Sequence, residues 1–492
     1  MHQIELFLKY PIEVQNELFQ SLIETAKDTK FGIDHDFNNI RTEEDYRKNV
    51  PIRNYEQLFP YIEFLLKGDQ NILWPSEVSW FAKSSGTTNN RSKFIPVTDE
   101  ALEDCHFKGG KDMISIYLNN YPDSKIFTGK GLVIGGSHQI NQFDENSKSY
   151  YGDVSAVIIK NLPFWTHIKR TPPLDIALMS EWEKKIEMMA EVTSEENVTS
   201  IYGVPTWTIV LINRILELKK ANSILEVWPN LELFVHGAVA FTPYRKLFSE
   251  LIPSSEMRYM ETYNASEGFF GIQDMKNSEE LLLMLDYGVY YEFIPFDEIN
   301  NDHPRTYNLD EVEIGKNYAM IISTNAGLWR YKIGDTIRFT SKYPFRFKIS
   351  GRTKHFINAF GEELIIENAE QGITQACERT GAVIGDYTAG PLYFKEGGKG
   401  GHEWIIEFKK DPSDLNTFID VLDTSMRQLN SDYDAKRYKN IALQKPIIHP
   451  VKEGTFYSWM KKRNKLGGQN KVPRLVNSRE YLDDILSMIE HL

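Results

Sequence analysis

The order of apolar and polar positions divides the chain into three regions. Residues 2–66 carry apolar positions at helical spacing and predict mainly helices. Beyond about residue 130, short apolar runs alternate with amphipathic stretches. Strands are predicted at 131–136, 155–159, 198–202 and 231–237, and helices at 206–220 and 242–251. Strands that alternate with helices indicate an α/β fold with much parallel sheet.

A different pattern runs from about residue 281 to residue 350. Apolar and aromatic runs such as VYYEFIPF and DTIRF are separated by Gly, Asn and Pro, which predicts an antiparallel or barrel-like β region. The alternation then returns, with helices predicted at 364–379 and 415–429 and strands at 382–388, 403–409 and 441–448. We therefore predict an N-terminal domain of residues 1–350 and a smaller C-terminal domain of residues 351–492, which is long enough for its own core.

The composition is that of an ordinary globular protein with a negative overall charge. The 492 residues are 41% hydrophobic, and 56 basic against 69 acidic residues give a formal net charge of −13. A negative mean field disfavours general binding of nucleic acid or of an anionic membrane, although a local basic pocket remains compatible with it. Two cysteines, Cys105 and Cys377, are too few for a disulfide framework. We expect a cytoplasmic protein without a signal peptide, a membrane span or a stable protein partner.

The first segment with candidate chemistry is the polar run SSGTTNNRSK, from Ser84 to Lys93. Successive backbone N–H groups and hydroxyls in such a loop can hold phosphate oxygens. Arg91 and Lys93 can neutralise the phosphate charge. The Gly-Lys-Ser/Thr ending of a Walker A loop is missing. On composition alone, a solvated polar loop has equal weight.

Two further segments supply an aromatic ring and carboxylates. In ETYNASEG, Tyr263 can stack on a flat base, and Glu267, four residues later, can hold Mg²⁺. In YKIGD, Asp335 follows a β run and can accept hydrogen bonds from vicinal hydroxyls such as those of ribose. Taken alone, ETYNASEG fits a strand end better, and YKIGD fits a plain hairpin turn.

The remaining segments lie in the last third of the chain. Gly351-Arg352 stands at the predicted domain boundary, where glycine can absorb the backbone change of a hinge; an ordinary linker is the alternative. The stretch 461–476 is rich in Lys and Arg and has no acid. Within it, Lys471 follows Gly467-Gly468 and can swing onto a polyphosphate, whereas a solvated basic face is the commoner role for a charge run. The chain has neither HExxH nor GxSxG, so zinc and serine hydrolases are not indicated.

Taken in order, these segments resemble the adenylate-forming superfamily. SSGTTNNRSKFIP, ETYNASEG, YKIGD and GGQNKVPR are most similar to the auxin-responsive-promoter family of acyl acid–amido synthetases, and the resemblance spans residues 84–474. It implies a large N-terminal α/β domain with a β-barrel-like subdomain and a smaller, mobile C-terminal α/β domain. It also implies that a carboxylic acid and ATP–Mg²⁺ give an acyl-adenylate and pyrophosphate. An amine, an amino acid in the family, then takes the acyl group and releases AMP.

The resemblance also assigns roles to individual residues. The phosphate loop would comprise Ser84, Ser85, Gly86, Thr87, Thr88 and Lys93. The other nucleotide contacts would come from Ala238, Val239, Tyr263, Asn264, Ser266, Asp335 and Arg352. Among these, Tyr263 would stack on adenine, with the backbone of Ala238 and Val239 beside it, and Asp335 would hold the ribose. Glu267 would hold Mg²⁺, and Lys471 would reach the α-phosphate and the acyl carboxylate.

The acyl acid is expected beside Tyr202, Val204 and Trp207 and the helix near 104–117, where Lys111 would meet a carboxylate. The wider superfamily often has Asp at the position of His355 and Lys at that of Asn358, and this departure makes a thioester-forming second step less favoured. The alternatives are an acyl-CoA ligase and a non-catalytic protein that binds a nucleotide or an acyl group. A kinase-like phosphotransferase has little support, because no kinase signature set is present.

Overall fold

The computed structural model describes residues 2–84, 93–135, 141–142, 149–179, 181–239, 241, 244–299, 301, 303–352, 356–394, 399–440, 442–463 and 472–490. The helices are α1 His2–Lys9, α2 Pro11–Ala26, α3 Lys30–Asp34, α4 Glu43–Asn49, α5 Tyr55–Leu66, α6 Asp99–Ala101, α7 Lys108–Asn120, α8 Val154–Asn161, α9 Leu174–Ala177, α10 Trp182–Thr193, α11 Pro205–Lys219, α12 Arg245–Leu251, α13 Ile366–Thr380, α14 Leu415–Leu429, α15 Ser431–Arg437, α16 Thr455–Lys462 and α17 Glu480–Glu490. A π-helical stretch, Leu102–Phe107, joins α6 to α7.

The strands are β1 Trp80–Ser84, β2 Lys93–Val97, β3 Lys130–Val133, β4 Asn141–Gln142, β5 Tyr150–Gly152, β6 Arg170–Thr171, β7 Val198–Tyr202, β8 Leu233–His236, β9 Arg258–Ala265, β10 Gly268–Ile272, β11 Leu281–Leu283, β12 Val289–Pro295, β13 Asn317–Thr324, β14 Tyr331–Lys342, β15 Phe345–Arg352, β16 Phe356–Ile357, β17 Leu364–Ile365, β18 Val383–Leu392, β19 Gly401–Lys410 and β20 Ile447–Val451. Smaller sheets have the orders β2-β1-β5-β4, β16-β17 and β18-β19-β20.

A large central sheet carries the N-terminal part of the molecule. In the described residues it has eleven strands, in the order β12-β13-β14-β15-β11-β10-β9-β8-β7-β3-β6. Strands β6, β3, β7, β8 and β9 pair in parallel, and the pairs from β9 through β10 to β12 are antiparallel. The predicted α/β region and the predicted antiparallel region are both present, and they are continuous in one sheet.

The N-terminal helices pack against the antiparallel half of this sheet. Gln15 of α2 donates hydrogen bonds to the carbonyl oxygens of Leu285, at 2.7 Å, and Val289, at 3.0 Å. Its own side-chain oxygen accepts from the backbone N–H of Tyr291 at 3.0 Å. A buried amide that satisfies three backbone groups at a strand end holds α2 in register with the sheet.

The C-terminal part is built on the three-stranded sheet β18-β19-β20, with α13 and α14 packed together. Its core is not separate, because one apolar cluster runs from Phe234 of β8 and Ile212 of α11 to Phe360, Trp404 and Leu422. The small sheet is therefore joined to the large one by buried apolar contact. Among the described helices, none combines the length and apolar character needed to span a bilayer.

Two of the strand predictions are wrong. The run SAVII at 155–159 forms helix α8 instead, with Ala156, Val157 and Ile159 buried against the neighbouring elements. A short apolar run fits a buried strand and a buried helix equally, so the sequence alone could not decide between them. The strand predicted at 441–448 begins only at Ile447, because Pro446 has no N–H to donate to a sheet.

A buried ion pair fastens the N-terminal helices to the antiparallel strands. The guanidinium of Arg330 donates to both carboxylate oxygens of Glu292, at 2.8 and 3.0 Å. It also donates to the carbonyl oxygen of Val50, just after α4, and to the hydroxyl of Thr306, both at 2.8 Å. The two charged side chains are only 5% and 2% exposed. Both charges are largely removed from water and are stabilised by this network, to which Arg47 adds a longer contact with Glu292 at 3.4 Å.

We expect Arg330→Met to lower the free energy of unfolding by about 3–5 kcal/mol, because it leaves the Glu292 carboxylate buried without its main partner. The measurement is the urea unfolding midpoint. The matched control is Lys445→Met, which removes a pair with Asp420 at 2.5 Å between side chains that are 56% and 58% exposed. That exposed pair is expected to contribute less than about 1 kcal/mol. Equal midpoints for the two variants would contradict the role of the buried pair.

Candidate active site

A cleft opens at the carboxyl ends of the parallel strands. It has a volume of about 1920 Å³ and is lined by the residues that follow β3, β7 and β8 and by the end of β9. In open α/β sheets this edge is where ligands bind, because the loops there are free to vary while the strands hold them in place. The predicted site residues that line it are Ser84, Lys93, Tyr202, Val204, Trp207, Ala238, Val239, Tyr263, Asn264, Ser266, Glu267 and Asp335.

One wall of the cleft is the antiparallel pair β1 and β2. Ser84 and Lys93 are register partners at its open end. Lys93 lies 6.0 Å from the centre of the Tyr55 ring, and the Tyr55 hydroxyl accepts the backbone N–H of Phe94 at 2.8 Å. The other predicted loop residues, Ser85, Gly86, Thr87 and Thr88, lie outside the described residues, as does Lys471.

The pKa of the Glu267 carboxyl group is shifted by burial and by one cation and two carboxylates nearby. Burial raises the pKa of its carboxyl group, the Lys93 charge lowers it, and the Asp335 and Glu363 carboxylates raise it again. The charged form of the Glu267 carboxyl group is poorly stabilised in these surroundings. A bound cation would therefore stabilise that form. The arrangement suits a carboxylate that binds a cation together with phosphate oxygens.

A hydrogen bond joins the two halves of the sheet inside the cleft. The hydroxyl of Tyr263, on β9, donates to a carboxylate oxygen of Asp335, on β14. The Tyr263 ring packs edge-on against Phe270, with ring centres 5.0 Å apart. Asp335 pairs in register with Arg352, whose backbone belongs to β15 but whose side chain lies outside the described part of the structure. The tyrosine and the carboxylate, 72 positions apart, thus meet at one place.

The turn after β8 presents backbone to the cleft. Ala238 has a φ of 68°, in the left-handed region that non-glycine residues rarely adopt. Gly237 precedes it, and a Cβ there would lie 2.5 Å from the carbonyl oxygen of Thr262. Glycine is required for this close approach of the two backbones. Strained backbone held by its surroundings is typical of ligand sites, and here Ala238 and Val239 line the same cleft as Tyr263.

The predicted acyl-binding residues divide into two groups. Tyr202, Val204 and Trp207 line the cleft where β7 runs into α11. Lys111 does not, because it is exposed on α7, while Gly110 and other residues of that helix face the cleft. A helix turns 100° per residue, so neighbouring positions need not share a face.

The C-terminal part closes one side of the cleft. The side-chain amide of Asn358 donates to the carbonyl oxygen of Ala238 at 3.4 Å, and its backbone N–H donates to Asn477 at 2.9 Å. The hydroxyl of Tyr244 donates to the carbonyl oxygen of Ala359. Because the contacts of Asn358 with Ala238 and of Tyr244 with Ala359 cross between the two parts, they hold the C-terminal part directly beside the turn after β8.

Three lining residues had no individual role assigned to them from the sequence. His106, in the π-helical stretch, bonds the Asn264 side chain at 3.1 Å. Glu363 and Lys436 reach the cleft from the C-terminal part. A π-helical turn is a feature of backbone geometry that often marks functional sites, and apolar periodicity does not reveal it. The only available signal for Lys436 was a basic residue in a short helix, which is usually a solvated position.

Two histidines of the cleft wall are held neutral. Burial lowers the pKa of His106 to about 4 and that of His236 to about 3, the latter with help from the Arg245 charge. The His236 ring also stacks on Phe241, with centres 4.0 Å apart. At neutral pH these rings therefore add polar, uncharged surface to the site.

Comparison with known proteins gives consistent matches over nearly the whole chain. The GH3 family N-terminal domain matches residues 1–257, the GH3 family central domain residues 282–352 and the GH3 family C-terminal domain residues 367–480. Indole-3-acetic acid-amido synthetase GH3.3 of Arabidopsis thaliana is 22% identical, over 94% of this chain and 89% of its own. The 4-substituted benzoates-glutamate ligase GH3.12 of the same plant is 23% identical, over 89% of this chain and 88% of its own.

Solved structures agree on the fold. A GH3.15 acyl acid amido synthetase superposes with a TM-score of 0.61 at 17% identity, over 97% of this chain and 93% of that chain. A 2-hydroxyisobutyryl-CoA ligase in the thioesterification state superposes with a TM-score of 0.56 at 11% identity, over 98% of this chain and 92% of that chain. The fold is that of a class that includes this amido synthetase and this CoA ligase. Within that class, the chain belongs to the GH3 family.

The neutral histidines predict how stability depends on pH. Their folded pKa values lie below the usual value of about 6.5, so between about pH 6.5 and pH 4 only the unfolded chain takes up their protons. Stability should fall as the pH falls through this range, by up to about 1.4 kcal/mol per pH unit for each histidine. In urea unfolding from pH 6.5 to 4.5, His236→Phe should show a shallower decline than the parent. His303→Gln, at an exposed position, should match the parent, and an unchanged slope in His236→Phe would contradict the assignment.

Proposed function

We propose that this protein is an ATP-dependent acyl acid–amido synthetase, which activates a carboxylic acid as an acyl-adenylate and transfers the acyl group to an amine. The observation that carries the proposal is the meeting of Tyr263, Asp335, Glu267 and Lys93 in one cleft. These residues come from three segments far apart in the chain. Together they offer an aromatic ring, a hydroxyl-binding carboxylate, a metal-binding carboxylate and a phosphate-binding cation.

In the first step, a carboxylate oxygen of the acid attacks the α-phosphorus of ATP. The new O–P bond forms as the bond from the α-phosphorus to the bridging oxygen breaks, and pyrophosphate leaves with that electron pair. Two anions repel each other, so the barrier falls when positive charge offsets the charge that spreads in the transition state. Lys93 provides one such charge, and we assign a second to Lys471. The ribose hydroxyls would be bound by Asp335, with Tyr263 against adenine and Ala238–Val239 alongside.

Glu267 is the residue that we propose for Mg²⁺ binding. The part of the chain that the structure describes has no cluster of three or more His, Cys, Asp or Glu side chains able to hold a metal. This fits Mg²⁺, which is commonly held by one or two carboxylates together with substrate phosphates and waters. When bound, the ion supplies charge neutralisation at the phosphates. Ser266 and the loop from Ser84 to Thr88 would complete the phosphate contacts.

In the second step, the amine lone pair attacks the acyl carbon. The C–N bond forms, the bond between the acyl carbon and the phosphate oxygen breaks, and AMP leaves while the amine gives up its proton. We propose that the acyl group lies against Tyr202, Val204 and Trp207, an apolar and aromatic wall that suits an aromatic acid. The relatives named above act on indole-3-acetic acid and on 4-substituted benzoates, and the second of them uses glutamate.

We further propose that residues 351–492 form a domain that rotates between the two steps about Gly351. This glycine has a φ of 144°, and among the described residues a Cβ there would meet only the Thr336 hydroxyl, at 3.6 Å. Open space and a backbone angle that favours glycine suit a hinge. The buried Cys105 and the partly buried Cys377 are free thiols, which supports our assignment of the enzyme to the reducing cytoplasm.

The function is tested by ATP–pyrophosphate exchange across a panel of carboxylic acids, followed by mass spectrometry of products formed with amino acids or CoA. We expect exchange with at least one aromatic acid, and an amide product only when an amino acid is added. Lys471→Ala should lose the exchange. A thioester product with CoA would favour the acyl-CoA ligase alternative, for which the CoA ligase of similar fold is the supporting observation. ATP binding without exchange for any acid would favour a non-catalytic binding protein.

We expect Asp335→Ala to weaken ATP binding by about 1–3 kcal/mol, because the ribose hydroxyls lose a charged acceptor. The measurement is the Kd of ATP by calorimetry. Tyr263→Phe is the companion variant, since it removes the hydroxyl that bonds Asp335 but keeps the ring; it should weaken ATP binding less. An unchanged Kd in Asp335→Ala would contradict the ribose assignment.

A further inference from the structure

Lys436 is a buried cation that faces the cleft from the C-terminal part. It lies on α15, is 5% exposed and belongs to the cleft lining. Its ammonium nitrogen is 5.5 Å from the centre of the Trp207 ring. Among the residues that the structure describes, no carboxylate lies within ion-pair distance of it. A buried charge without an opposite charge is costly to keep, and a ligand anion would remove that cost.

Two other buried cations of the same protein are paired with carboxylates. Arg437, the next residue on α15, donates to both oxygens of Asp423 at 2.6 and 2.7 Å. Arg330 is paired in the same way with Glu292. The aromatic face of Trp207 gives Lys436 a partial partner, because a ring face is negative, but it leaves the N–H donors without an acceptor of full charge. Lys436 thus differs from these two cations, because it faces the cleft without a carboxylate partner among the described residues.

The start of helix α11 lies at the same corner of the cleft. Gly203, Val204 and Trp207 line the cleft there, and no side chain caps the helix. Pro205 occupies the first helical position and has no N–H, so the next N–H groups are the ones that face outward. The first turn of a helix carries partial positive charge and binds anions. A lysine and a helix start at one corner make a site for a carboxylate.

The identity of the anion follows from the charges around Glu267. The groups that act on the Glu267 pKa are Lys93, Asp335 and Glu363, and these mark the phosphate end. The acyl acid must bring its own carboxylate to that end, where adenylation removes its charge. Among the anions of the proposed reaction, the carboxylate of the amino acid that accepts the acyl group is the one to which no cation has yet been assigned.

We propose that Lys436, with the start of helix α11, binds the α-carboxylate of the acceptor amino acid and so directs its amine toward the acyl carbon. This inference rests on the proposed amide synthetase activity. It explains why the cation is supplied by the C-terminal part and not by the large sheet. It also gives Trp207 a position between the acyl group and the acceptor, in contact with the lysine that orients the acceptor.

The experiment compares an amino acid with its carboxamide, which keeps the amine but has no carboxylate. With an acid chosen by pyrophosphate exchange, amide formation is measured for the parent, Lys436→Met, Lys436→Arg and the exposed control Lys445→Met. In Lys436→Met we expect the KM for the amino acid to rise about 10- to 100-fold, with a smaller change in kcat. The preference of the parent for the amino acid over its carboxamide should disappear in the same variant. Exchange should stay within about twofold, and Lys436→Arg should keep most of the preference.

Each of the following results would contradict the proposal. An unchanged KM and an unchanged preference in Lys436→Met would overturn the carboxylate assignment while leaving adenylation intact. Loss of exchange in that variant would assign Lys436 to the first step instead. Acyl transfer by the parent to CoA alone would overturn the inference, and absence of exchange in the parent with every acid would overturn the proposed function and this inference with it.

Discussion

The site depends on the change of pairing direction at strand β9. On one edge β9 runs parallel to β8, so the turn after β8 and the end of β9 come out at the same side of the sheet. On the other edge it pairs antiparallel with β10, and the chain continues through antiparallel strands to β14, which carries Asp335. The hydrogen bond from Tyr263 to Asp335 is possible only because both pairings meet in one strand. Without this junction the backbone turn, the ring and the carboxylate would belong to separate sheets.

The elements that could be predicted from the sequence are those determined by residues close together in the chain. Buried parallel strands such as β7 read as apolar runs, and α11 begins at a proline that suits a first helical turn. Asp335 was selected as a carboxylate on a turn after a β run, but it lies inside strand β14, in register with Arg352. Tyr263 was selected as a ring able to stack on a base, four residues before a carboxylate able to hold Mg²⁺. Their meeting in the cleft could be expected only from the order of the motifs and the family that this order resembles.

The rest depends on long-range packing that leaves no local trace. The run 155–159 became helix α8 because its apolar side chains had neighbours to pack against on a helix face. Lys111 was expected at the cleft from its position in a helix, but the helix presents Gly110 there and leaves Lys111 exposed. Lys436 reaches the cleft only because an apolar cluster holds the C-terminal sheet against α11.

The hydrogen bond from Asn358 to the carbonyl oxygen of Ala238 has a thermodynamic consequence. Ala238 belongs to the turn proposed to lie beside adenine, and Asn358 belongs to the part proposed to rotate. If nucleotide binding strengthens or weakens this contact, the position of the small domain changes the affinity for nucleotide by the same factor, since linkage is reciprocal. This backbone carbonyl would then couple nucleotide binding in the large domain to the position of the small domain.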